Sequence, residues 1–249
     1  MFSPIAMTLL RNAYDVLYHL SEMMDYCQVR LLEDQHSSVQ LERFKSGVVP
    51  MRTLVSVCVY GADSHDDKTY TVLERLIDGF PQFAESYKEH YSRLEQASDV
   101  VDADFTEEDR LEGLDRVRRH FSELSAMMER VTSNHVLLQE HFDIFMTLAR
   151  AVSTDHVRRT GKHRSSEDKP DYSPLHELVK EYFRTCNPEV IDRYLSLADE
   201  FSSQYLQEER TESFAQNGRH TRQPQRDLDA ELAGLGAKLE IVSLLAVME

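Results

Sequence analysis

A chain of 249 residues suffices for one elongated domain or two small ones, and an apolar content of 41% excludes wholesale disorder. Gly (8 residues) and Pro (7 residues) are sparse, which favours helix over sheet. The formal charge of −16, from 28 Lys+Arg against 44 Asp+Glu, opposes nucleic-acid phosphates and anionic lipid headgroups as general partners.

Cys27, Cys58 and Cys186 lie far apart and form no CxxC pair, a reduced rather than disulfide-bonded pattern. The first residues carry no basic region ahead of an apolar run, so no secretory signal is expected. No stretch approaches the ~20 apolar residues of a membrane span. The expectation is an intracellular protein, cytoplasmic or nuclear.

The first helix is predicted from Pro4 to Ser46. Leu10, Ala13, Leu17, Leu20, Met24, Cys27 and Leu31 recur by threes and fours, and a polar stretch at Asp34–Ser38 kinks or ends the pattern. Gly47 and Pro50 read as its stop. Val55, Val57 and Val59 alternate like a strand. A lone strand would have nothing to pair with, so Met51–Tyr60 is read as a short buried helix, followed by a polar loop to Lys68. A second helical region spans residues 69–101, with a kink or break expected at Gly79-Phe80-Pro81.

The strongest signal follows. Leu114, Phe121, Met128, His135, Phe142 and Ala149 occupy one heptad position, and Val117, Leu124, Val131, Leu138, Phe145 and Val152 the other. Thr106 suits the N-cap, and Glu107, Glu108 and Asp109 suit the positive end of the helix dipole. Arg158, Arg159 and Gly161 mark the far end. A helix over 107–159 is ~80 Å long at 1.5 Å per residue, and the acidic turn before it implies an antiparallel hairpin with residues 69–101.

Residues 161–173 read as a polar linker. Residues 174–209 form a further helical region, with Pro188 opening its second piece. Residues 210–226 read as a flexible tether. Residues 227–249 form an amphipathic helix bearing Leu228, Leu232, Leu235, Leu239 and Val242. That helix folds back on the bundle, docks on a partner helix, or lies on a membrane; its acidic polar face speaks against the last.

Few residues suggest chemistry. Glu33 and His36 have the spacing of a di-iron ligand pair, but no second copy exists. His65-Asp66-Asp67 resembles a metal-holding pair placed in a polar loop. His90 and His135 lie on the apolar stripes, near a shared interface if the hairpin forms. No Gly-rich phosphate loop and no nucleophile–base set is present. Ser165 and Ser166 follow the basic run Arg158–Arg164 and are candidate phosphorylation sites.

The expected fold is all-α, an elongated antiparallel bundle or coiled-coil hairpin of four to five long helices, with residues 1–160 as its body. The expected function is a non-enzymatic structural or adaptor subunit, working through helix–helix contacts with other subunits or copies. No cofactor or metal is expected. The contact surfaces are expected at Leu114, Phe121, Leu124, Met128, Val131, His135, Leu138, Phe142 and Phe145, and on the C-terminal helix. The alternative is a helical enzyme or ligand-binding bundle built from scattered His and acidic residues.

Overall fold

Ser3 starts the first helix by accepting a hydrogen bond from the Ala6 amide at 3.1 Å, with Pro4 at the first helical position. The computed structural model describes residues 3–31, 35–61, 67–96, 106–161, 170–203 and 223–247. All of its regular structure there is helical, in seven helices: α1 (Pro4–Leu31), α2 (Gln35–Tyr60), α3 (Asp67–Gln96), α4 (Glu107–Thr160), α5 (Ser173–Thr185), α6 (Pro188–Phe201) and α7 (Gln223–Val247). The chain divides into two compact units, residues 1–130 and 131–249, and the division falls inside α4.

In the first unit α1 supplies more of the core than any other helix. Leu9, Leu10, Ala13, Val16, Leu17, Leu20 and Met24 are all buried, a face wider than a two-in-seven stripe. This face packs against α2 and α3. Asn12 donates to the Met127 sulfur of α4 at 3.3 Å. The first part of α4 meets α3 in antiparallel order. Arg110 Nη1 donates to the Leu94 carbonyl at 2.9 Å, the Tyr91 hydroxyl donates to the Leu114 carbonyl at 3.2 Å, and Tyr87 stacks on Phe121 with centroids 3.7 Å apart.

The helix stop expected at Gly47 and Pro50 does not occur, and the helix around Pro81 runs on without a break. Pro50 lies inside α2 and Pro81 inside α3. Each proline removes one backbone donor and strains the preceding turn, a cost of about 3 kcal/mol. Burial on both sides offsets it. Val48, Val55 and Cys58 flank Pro50; Leu73, Leu76, Ile77, Tyr87 and Leu94 flank Pro81. Each such side chain gains roughly 1.5–3 kcal/mol on full burial. The helix at Met51–Tyr60 forms as expected, but it is only half covered: Val55 and Cys58 face inward, whereas Leu54, Val57 and Tyr60 face solvent.

The limits of α4 match the expectation. The Thr106 hydroxyl accepts from the Asp109 amide at 3.1 Å, and the Asp109 carboxylate accepts from the Thr106 amide at 2.9 Å. This reciprocal pair satisfies two amides at the helix start, and the bonds from Thr106 hold the Asp109 carboxyl below its usual range. At the other end Gly161 takes a left-handed φ of 67°, and its amide bonds the Val157 carbonyl at 2.9 Å.

In the second unit the later part of α4 joins α5, α6 and α7 around a core that includes Leu138, Phe145, Leu175, Val179, Ile191 and Leu239. The α5–α6 corner turns at Cys186, which adopts a left-handed φ of 48°, and Asn187 then caps α6 by accepting from the Glu189 amide at 3.2 Å. Pro188 opens α6, as its position in the sequence implies. α7 packs on α6.

Candidate interaction surfaces

The structure assigns each residue of the long stripe to one unit. In the first, Leu114, Leu124 and Met128 are buried, and Phe121 is half-buried under Tyr87. In the second, Val131, Leu138 and Phe145 are buried. His135 is half-buried against the Phe183 ring at 4.7 Å, and Phe142 stacks on His176 at 5.3 Å. On α7, Leu235 and Leu239 are buried, and Leu228 and Leu232 are half-buried. The Val242 side chain, Ser165, Ser166 and residues 210–222 of the expected tether lie outside the described residues, and its last residues, 223–226, open α7 instead.

The buried edge of α4 differs from the heptad reading in the second unit. Asn134, His141 and Leu148 are buried there, one residue ahead of His135, Phe142 and Ala149, of which only Ala149 is also buried. Asn134 donates to the Tyr182 hydroxyl at 3.0 Å, and His141 Nδ1 lies 3.0 Å from the Tyr194 hydroxyl. Gly236 of α7 approaches the same histidine; a Cβ placed on it would sit 3.7 Å from His141 Nε2. Burial lowers the His141 pKa to about 4 and raises those of Tyr182 and Tyr194, so all three side chains are neutral at pH 7.

These bonds join α4 to α5 and α6. Burial likewise pushes the Cys186 thiol up to about 12, far from a reactive thiolate. Among the described residues, no three His, Cys, Asp or Glu side chains are grouped to hold a metal ion. Glu33, His65 and Asp66 lie outside the described residues, as do the side chains of Cys27, His36 and Asp67. His90 stacks on Phe44 in the first unit, and the His135 ring lies tilted against Phe183 in the second.

One outward surface of the first unit has the composition of a contact site. On α2, Val57 and Tyr60 are 64% and 67% exposed, with Leu54 exposed one turn earlier. Tyr60 meets Tyr14 of α1 edge-on at 5.2 Å, and Tyr14 stacks on Tyr18 at 5.8 Å. The Arg52 guanidinium covers the Tyr18 ring at 5.9 Å and donates to Ser21 Oγ at 2.6 Å. Tyrosine and arginine are the types that dominate binding hot spots. The sequence reading noted only the alternating valines of this stretch, of which the structure buries Val55 and exposes Val57.

A second feature is a cleft of about 520 Å³ between α2 and α3, floored by Leu17 of α1 and Leu124 of α4. Phe44, Phe80 and Phe83 line it, and Phe44 stacks on His90 with centroids 4.4 Å apart. His90 is 6% exposed, and its Nδ1 is enclosed without a hydrogen-bond partner. Burial, then the nearby Arg93, lowers its pKa and keeps the ring neutral.

No helix among the described residues is long and apolar enough to cross a membrane. No protein-family model matches the chain, and no curated protein or solved structure matches it either.

Proposed function

We propose that the protein is a non-enzymatic adaptor or structural subunit that binds other protein subunits through helix surfaces. The observation that carries this reading is the exposed row Leu54, Val57 and Tyr60, continuous with Tyr14, Tyr18 and Arg52. Exposed leucine and valine gain free energy when a partner covers them, at about 25 cal/mol per Å² of apolar area. The rigid tyrosines lose little conformational freedom on binding. The stripes on α4 and α7 support the same reading in a different way. Their apolar residues are largely occupied within their own units, whereas the row on α2 stays exposed.

The test is purification of the chain from the cells that naturally make it, alongside a variant carrying Leu54→Glu, Val57→Glu and Tyr60→Glu. The wild type should elute in a stoichiometric assembly. The variant should keep its helical circular dichroism and elute alone. A wild-type chain that elutes at monomer mass, or a folded variant that stays in the assembly, sinks the reading.

A further inference from the structure

We propose that the α2–α3 cleft of the first unit receives an acidic amphipathic helix from another protein. The proposal rests on the adaptor reading and names the chemistry of one partner.

The shape is that of a helix groove. Its lining on α3 runs from Arg75 to His90, about 22 Å at 1.5 Å per residue, the length of four helical turns. Its walls are antiparallel: Phe44 of α2 meets His90 and Phe83 of α3, and Arg93 Nη1 donates to Gln40 Oε1 at 2.5 Å. Gly47 and Gly79 leave low points in both walls, where an added Cβ would meet nothing within 4 Å. A guest backbone can come close there, while the three phenylalanines take its apolar side chains.

The charge selects the guest. Arg43 stands beside Phe44 at the His90 end, and Arg75 stands four turns away along α3. Neither guanidinium has a hydrogen-bond or ion-pair partner among the described residues. Glu89, the acid of the lining, is already held by Arg93 at 2.6 Å. In a chain of net charge −16, two unpaired arginines at the two ends of an apolar cleft favour an elongated guest with carboxylates on both flanks. A compact anion reaches only one of them.

The experiment uses the full chain and a fluorescent designed peptide of about four helical turns, with leucines on one face and glutamates flanking them. A second peptide carries lysines in place of the glutamates. Fluorescence anisotropy should show the glutamate peptide binding roughly tenfold more tightly, the value of two rim ion pairs with the matching repulsion removed. The variant Arg43→Glu with Arg75→Glu changes two exposed side chains and should reverse the preference. In NMR, the glutamate peptide should shift the His90 ring protons. Equal binding of the two peptides, or none, overturns the proposal, as does unchanged preference in the reversed variant. Binding of laurate without peptide binding also overturns it and assigns the cleft to a small amphiphile. The Leu54, Val57 and Tyr60 variant should bind the peptide normally, so failure of the cleft and failure of the outer patch are read separately.

Discussion

His141 Nδ1 and the Tyr194 hydroxyl lie 3.0 Å apart in the core of the second unit, joining α4 to α6. Burial disfavours the imidazolium and lowers the His141 pKa from 6.5 to about 4. The unfolded chain therefore takes up a proton between those values that the folded chain refuses. The stability this neutral histidine contributes is complete above pH 6.5 and declines as pH falls toward 4. The shift corresponds to a loss on the order of 3 kcal/mol. His90 shifts in the same direction and adds to the slope. Urea unfolding at pH 7.5, 6, 5 and 4 should show this decline. The variant His141→Gln should show a shallower one; an unchanged slope contradicts the assignment.

Asn134 and Tyr182 form the second buried polar pair. Tyr182→Phe strands the Asn134 amide, and leaving such a group unsatisfied costs about 1–3 kcal/mol. Replacing both, Asn134→Leu with Tyr182→Phe, should recover much of that loss. A double-mutant cycle by denaturant unfolding measures the coupling, and additive losses would show that the bond contributes nothing.

The α4 start depends on the reciprocal bonds of Thr106 and Asp109. Thr106→Ala should lower stability by about 1 kcal/mol. Thermal unfolding should give a lower Tm for this variant, whereas Thr106→Ser should stay near wild type.

Two glycines should respond oppositely to alanine. Gly79 sits inside α3 with open space around an added Cβ, so Gly79→Ala should stabilise by up to ~1 kcal/mol through helix propensity. Gly161 holds a φ of 67°, which costs an L side chain roughly 1–2 kcal/mol. Gly161→Ala should therefore destabilise. Paired denaturation curves check both signs.

The span of α4 was legible because its signals are local. The cap Thr106, the acids after it and Gly161 act through the backbone next to them. The same holds for the start of α6 at Asn187-Pro188. Pro50 misled for the converse reason. A proline reports its local cost, while the side chains that offset it are buried by residues distant in sequence. On α4 two adjacent stripes were available beyond Val131. The apolar Phe142 outweighed the polar His141, although Leu148 beside Ala149 was a clue to the other stripe.

Sequence alone determined that this chain is acidic and that its described residues are helical, because periodicity, breaker content and charge are sums over residues. Only tertiary structure decided which face of each helix is covered. It gave His141 and Asn134 their tyrosine partners, left Leu54, Val57 and Tyr60 exposed, and opened a cleft beside an unpartnered His90. The reason is that burial belongs to pairs of elements. A helix carries several faces of similar apolarity, and its neighbours select the one that leaves water.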